Sequence, residues 1–259
     1  MIVVPGVEAL EAAYGRLFVV LGVFDGLHRG HLYLLDELRQ AALAHDAQPA
    51  VITFDHHPDE ILTGSAPPLL CDPEERLERL AAAGVALTVV HHFDLATRMT
   101  PYDAFVGRIA DRVDLAGFLM TPESAFGFER RGTSETVAEL GRSLGYDVVV
   151  VPTLELDGRP VRSGEIRADI AKGDLAGAAN LLGRPYAVVG TVGPGAGDSA
   201  PIRFAMPVAL PERGTYPVVV SRPGGSGVSA APSRIELAVD GPRLVGAGRV
   251  EGAVRLTFA

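Results

Sequence analysis

Over its first 185 residues the chain alternates between two hydrophobic periods, and that alternation restricts the fold more than any other feature. Unbroken apolar runs, LFVVLGVF (17–24), PAVITF (49–54), LTVVHHF (87–93), GFLMT (117–121) and DVVVVPTL (147–154), read as strands buried on both faces. Between them lie helical patterns at 30–46, 72–84, 100–113 and 133–145. The punctuation agrees with this division. Asp72 followed by Pro73 and Thr133 followed by Thr136 mark helix starts, while Gly84 and Gly145 stand where helices end. Strands alternating with helices predict an α/β fold, a parallel sheet with flanking helices.

From about residue 184 the character changes. YAVVGTV, TYPVVVS, SRIELAV and AVRLTFA are short strand-like runs separated by Gly, Pro and Ser clusters, so the expected division is 1–183 and 184–259, the second part a small β barrel or sandwich. SRPGGSGVSAAPS (221–233) reads as a flexible hairpin loop or a disordered connector. Apolar residues make up 47% of the 259, which suits a globular protein. No apolar run reaches the roughly 18 residues of a membrane span, and no basic leader precedes the first one. The single Cys71 cannot form an internal disulfide. Together these predict a cytoplasmic protein. A net charge of −9 without a Lys/Arg-rich run argues against general nucleic-acid binding, leaving small molecules as the expected partners, with a homo-oligomer compatible.

The stretch GVFDGLHRGH (22–31) follows the first strand and opens the first long helix. Gly26 falls at the turn, and His28 and His31, three residues apart, share a face beside the free N–H groups of a helix start. Spacing alone leaves a structural pair, an incomplete metal site and an anion site open. No cysteine or carboxylate stands at helical ligand spacing, which argues against zinc at this turn.

Four segments in order carry a resemblance. GVFDGLHRGH matches G-x-F-D-G-x-H-x-G-H, TFDHHP (53–58) resembles T-F-x-P-H-P, FGFERRG (126–132) resembles F-G-x-x-R-x-G, and VRSGEIR (161–167) stands in the place of V-S-S-T-x-I-R. Over residues 15–190 the chain resembles the nucleotidyltransferase half of the bacterial bifunctional riboflavin kinase/FMN adenylyltransferases, the FAD synthetases. The resemblance implies a Rossmann-like fold that binds ATP with Mg²⁺ and FMN and joins them to give FAD and pyrophosphate without a covalent enzyme intermediate. It implies catalytic roles for His28, His31 and Arg167, and nucleotide contacts from Gly22, Phe24, Asp25, Gly26, Gly30, Arg162 and Ser163. The acceptor side would be formed by His57, Pro58, Glu123, Phe126 and Arg130, with no metal ligand assigned to the protein itself. Weighed as ordinary structure, His57 and Pro58 would only end a strand and Arg130 and Arg131 would be solvated charges. His91 and His92 match no motif and read as core or rim residues, and Asp72, Glu74 and Glu75 as charges favourable at a helix start.

The departures from the family bear on function. Arg162-Ser163-Gly164 replaces two of three hydroxyls and adds a cation, TPESA places Glu123 at the acidic position, and His56 replaces the first proline of T-F-x-P-H-P. The C-terminal region lacks the Thr/Asn pair of the family's P-T-A-N motif although Glu236 stands at the place of its catalytic glutamate, which predicts a degenerate barrel without riboflavin kinase activity. Two function classes follow: a nucleotidyltransferase, with ATP and FMN or with another nucleotide or phosphorylated acceptor, and a non-catalytic flavin- or nucleotide-binding module.

Overall fold

A computed structural model describes the chain except residues 196–197, 224–227 and 248–249, and the side chains of 228–232. Packing divides it into two compact units, Met1–Pro67 with Pro73–Glu155, and Pro68–Asp72 with Leu156–Ala259.

The first unit is an α/β layer structure built on six parallel strands: β1 (Ile2–Pro5), β2 (Arg16–Leu21), β3 (Gln48–Phe54), β4 (Leu87–His91), β5 (Asp114–Met120) and β6 (Asp147–Val150), in the order β1-β4-β3-β2-β5-β6. The strands are sandwiched, so both faces must be apolar. Leu17 and Val19 join Ala50, Ile52, Phe105, Val106 and Ile109 in one cluster, while Phe18 and Val20 join Leu35, Leu38, Val51 and Leu80 in another. The flanking helices are α1 (Arg29–Ala44), α2 (Pro73–Ala82), α3 (Tyr102–Ala110) and α4 (Ser134–Leu144). Thr133 caps α4 by accepting the N–H of Thr136 at 3.4 Å, and Gly145 ends it in the left-handed conformation, as the sequence predicts.

Several apolar runs stop being strand earlier than their hydrophobicity suggests. Residues 22–24, 92–93, 121 and 151–154 leave the sheet after Leu21, His91, Met120 and Val150, because the chain must turn at the carboxyl ends toward the next helix. The edge strand β1 carries no such signal in the sequence. It is only four residues long, and its pairing with β4 from Ile2↔Leu87 to Pro5↔Val90 is tertiary. Chain connections leave β2 for β3 on one side, while β5 lies on its other side, so the carboxyl end of β2 is the topological switch point where ligands of such sheets bind.

The second unit contains α5 (Ser163–Ala171) and α6 (Leu175–Leu182), then β7 (Ala187–Val192), β8 (Ser199–Arg203), β9 (Gly214–Ser221), β10 (Val228–Ala238), β11 (Gly241–Val245) and β12 (Gly252–Phe258). These six strands close an antiparallel barrel in the order β7-β8-β11-β10-β9-β12, which decides between barrel and sandwich. Full closure removes every free edge from a domain with a modest core. Of SRPGGSGVSAAPS, residues 224–227 lie outside the described residues, but the expectation of a loop or connector fails from Val228 onward. There the chain is the first half of β10, paired Ser221↔Val228 and Val220↔Ser229, and barrel pairing overrides the weak strand propensity of its small residues. Among the described residues no helix is long and apolar enough to cross a membrane.

Candidate functional site

The chain leaves β2 through a strained turn. Phe24 and Leu27 hold left-handed φ values of 53° and 38°, and Gly26 stands between them at 78°. For glycine that conformation is free, but for the two bulky residues it costs on the order of 1–3 kcal/mol each. Burial compensates, since both side chains are only 1% exposed and pack in the cluster with Leu35 and Leu38. Hydrogen bonds fix the same turn. Gly22 N–H donates to the Ile52 carbonyl at 3.0 Å, and the Val23 carbonyl accepts both Thr53 Oγ1 at 3.0 Å and Arg76 Nη1 at 3.2 Å. Arg76 Nη2 donates to the Phe54 carbonyl at 2.7 Å. One buried guanidinium therefore ties together the chain segments leaving β2 and β3.

At the end of this turn His28 is the N-cap of α1, with extended backbone. Its Nδ1 accepts the backbone N–H of His31 at 3.2 Å, the role usually taken by a Ser or Asp oxygen. The sequence places both histidines on one helix face. Instead His28 precedes the helix, and the two rings stack, centroids 3.7 Å apart and 16° from parallel. Phe24 closes the other side of His31, its ring 5.0 Å away. His31 Nδ1 is buried and makes no hydrogen bond among the described residues. Burial, and then the neighbouring His28, holds the His31 imidazole well below the ordinary histidine range, so at neutral pH it is uncharged. In its neutral form His28, whose Nδ1 accepts, carries its proton on Nε2. The result is an uncharged His31 ring stacked on the His28 cap at the positive end of a helix, an arrangement suited to receiving an anion. Asp25 is buried within the turn, and Gly30 lies in the first turn of α1.

The residues assigned to the acceptor are spread over two loops of the first unit. His57 Nδ1 accepts the N–H of Asp59 at 3.2 Å, and Pro58 precedes a short helix, Asp59–Leu62, so the pair starts a helix rather than ending a strand. Glu123 is exposed, its Oε2 accepting Thr153 Oγ1 at 2.9 Å, and its carbonyl accepts Arg130 Nη2 at 3.2 Å. Phe126 is half-buried against Phe105 and Phe118 and serves the core as well as the surface. His91 is buried, its Nδ1 accepting Val7 N–H at 3.4 Å, whereas His92 lies at the rim. Glu74 and Glu75 stand in the first turn of α2, as read from the sequence, and Glu75 is in addition buried and paired with Arg79 at 2.6 Å.

In the second unit Arg162 precedes α5, Ser163 opens it, and Arg167 one turn later donates through Nε to the Pro68 carbonyl at 2.7 Å. Arg159, which no motif marks, grips the same helix. Its Nη1 and Nη2 reach the two oxygens of Asp169, each at 2.8 Å, and its Nε reaches Glu165 Oε2 at 3.1 Å. The sequence does hold weak signals for such residues. Glu165 and Asp169 are four apart on one helix face, and Arg76 lies four residues before the buried Leu80, on the apolar stripe of α2.

A parallel sheet of this order, with a His-x-Gly-His turn at the end of its central strand, defines a Rossmann-like fold of the nucleotidyltransferase type joined to an antiparallel barrel. The profile of the FAD synthetase family matches residues 11–165, and the chain belongs to that family. The bifunctional riboflavin kinase/FMN adenylyltransferase of Pseudomonas fluorescens is 29% identical over 193 residues, 74% of this chain and 62% of the relative. The protein of that description from Escherichia coli K12 is 29% identical over 195 residues, with the same two shares. The match thus spans about 62% of the length of these curated relatives. A crystal structure titled as a macrolide-efflux protein from Streptococcus pneumoniae superposes with a TM-score of 0.83 at 22% identity, covering 99% of this chain and 88% of that one, a likeness of fold alone.

Proposed function

We propose that the chain is an FMN adenylyltransferase, transferring AMP from ATP to FMN to give FAD and pyrophosphate, and that riboflavin kinase activity has been lost. The observation that carries this is the stacked His28/His31 pair, one ring capping α1 and the other, uncharged, in its first turn, at the switch point of the sheet. A phosphate oxygen of FMN forms the new bond to the α-phosphorus of ATP as the bond to the β-phosphate breaks and pyrophosphate leaves. This chemistry needs alignment of two anions and donors aimed at growing negative charge rather than a nucleophile on the protein. His28 and His31 supply those donors, with Gly22, Phe24, Asp25, Gly26 and Gly30 shaping the turn that admits the phosphates. Arg162, Ser163 and Arg167 bind the β- and γ-phosphates, and His57, Pro58, Glu123, Phe126 and Arg130 serve the flavin side. Mg²⁺ arrives as part of the nucleotide substrate and neutralises phosphate charge. The activity belongs to residues 1–183 and the 184–259 barrel is a degenerate kinase-like domain. The partners are small molecules in the cytoplasm, not nucleic acid or membrane.

Purified protein given ATP, Mg²⁺ and FMN is expected to form FAD and release pyrophosphate, and no turnover with any flavin would refute the proposal. Arg162-Ser163-Gly164, with two hydroxyls fewer than the family motif, favours a second reading in which the same chemistry serves another nucleotide or phosphorylated acceptor. A screen of the four common nucleoside triphosphates separates the two. Tight ligand binding without pyrophosphate release would instead mark a binding module.

A further inference from the structure

Phe54 and His91 are partners in the parallel register of β3 and β4, so the residues that follow them, Asp55 and His92, leave the sheet side by side. Asp55 N–H donates to the His91 carbonyl at 3.2 Å, and the Phe54 and Phe93 rings meet edge to face at 5.2 Å, locking the two strand ends together. Around the Asp55 carboxylate two imidazoles converge. His56 Nδ1 is 2.7 Å from Oδ1, and His92 Nδ1 is 2.5 Å from Oδ2. Oδ1 is anchored further by the backbone N–H groups of His56 at 2.9 Å and Phe93 at 3.3 Å. Thr97 Oγ1 donates to the His92 carbonyl at 3.1 Å, steadying the third residue.

We propose that Asp55, His56 and His92 form a binding site for a divalent transition metal of the zinc class, three protein ligands with the fourth position open to solvent. The three candidate ligand atoms lie within 4.8 Å of one another. Tetrahedral bonds of about 2.0–2.2 Å place ligand atoms roughly 3.3–3.5 Å apart, so admitting the ion requires the two carboxylate–ring contacts of 2.7 and 2.5 Å to open toward that spacing while the three atoms converge on one point. The ion takes the place of the two hydrogen-bonding protons, each neutral ring keeping one proton by moving it to Nε2. Two imidazoles and one carboxylate favour Zn²⁺, Co²⁺, Ni²⁺ or Cu²⁺ over Mg²⁺, which prefers oxygen ligands, so the site is separate from the Mg²⁺ that accompanies a nucleotide. Solvent reaches it, the side chains being 28%, 38% and 69% exposed for His56, Asp55 and His92. One ligand is a departure of this chain, since His56 occupies a position where the family motif has proline.

The test uses the untagged full chain with ZnCl₂ in competition with a chromogenic chelator, and CoCl₂ followed by visible absorption. One equivalent should bind, with the intense ligand-field bands of tetrahedral cobalt. His92→Ala, at an exposed ring, should keep its circular dichroism and lose affinity at least about tenfold, as should Asp55→Asn. His45→Ala, which breaks a different surface pair, His45 with Asp147, should bind as the parent does. Absence of binding, or equal affinity in the parent and His92→Ala, overturns the proposal, as does a loss of affinity in His45→Ala that matches the loss in His92→Ala.

Discussion

The Val23 carbonyl sits in the turn between β2 and α1 and has two donors, Thr53 Oγ1 and Arg76 Nη1. Its neighbour, the Phe54 carbonyl, accepts Arg76 Nη2. Thr53→Val removes one neutral hydrogen bond at a fully buried position while keeping the side-chain shape, and should cost about 1 kcal/mol. Arg76→Met keeps most of the buried stem but removes two charge-assisted bonds, leaving the Phe54 carbonyl without this donor and Val23 still bonded to Thr53. About 3 kcal/mol is expected, the lower part of the range for two bonds of about 1.5–3 kcal/mol, because Val23 is still bonded. In the double variant Val23 loses both donors, and a buried carbonyl left without either costs roughly 1–3 kcal/mol beyond the sum. The coupling energy should therefore be about 1–3 kcal/mol and destabilising. Urea unfolding of the four proteins by far-UV circular dichroism measures it, the chain having no tryptophan to report by fluorescence, provided all four share one m-value. Additivity within about 0.5 kcal/mol would refute the claim that both donors hold one carbonyl.

His28 and His31 should separate in their effects. His28→Ala removes a helix cap along with a ring donor and should lower stability by about 0.5–2 kcal/mol as well as activity, whereas His31→Ala leaves the cap acceptor in place and should chiefly lower kcat, by about 10²–10³-fold. Parallel thermal melts and pyrophosphate-release assays distinguish them. Since the folded chain holds His31 below its ordinary value of 6.5, the unfolded chain binds the extra proton first. Stability is accordingly intact above pH 6.5 and falls as the pH drops below it, and His31→Asn should flatten that acid limb in pH-dependent urea titrations. A triphosphate beside the same ring favours its protonated form, so ATP binding on the acid side of pH 6.5 should take up protons, seen by calorimetry in buffers of different ionisation enthalpy and diminished in His31→Asn. Gly127, with φ of 75°, leaves no room for a side chain: an added Cβ would lie 2.6 Å from Tyr102 N, and Gly127→Ala should cost about 1–3 kcal/mol in thermal or urea unfolding.

The α/β layering was legible because burial on both faces of a parallel strand leaves a continuous apolar run, as at 17–21 and 48–54, that no helix period imitates. β1 was not, because four residues carry too little pattern and its stability comes from β4. β8 and β11 were missed for a related reason: SAPIR and GPRLV are held in the barrel by neighbours far away in sequence. At the site, the motif marks His28 and His31, but their stacking depends on the backbone of Phe24 and Leu27, and residue identity argues against left-handed φ at both. Arg76 was hidden in an amphipathic pattern where a cation reads as surface, and Arg159 in a turn.

Local preference and global fold agree along β2 and along α1, and disagree only in the seven residues joining them. Such disagreement survives where surrounding structure holds it in place. Here three independent restraints do so: burial of Phe24 and Leu27, the doubly held Val23 carbonyl, and the His28 cap on His31. A turn adopted only to connect strand and helix would not need all three, since a relaxed glycine- or asparagine-rich connection would serve. What the restraints secure is the position of two ring donors relative to the start of α1, with little freedom left to lose when an anion arrives. That is the arrangement the proposed AMP transfer would require, because its rate depends on donors already in place when charge develops rather than on groups that must gather around it.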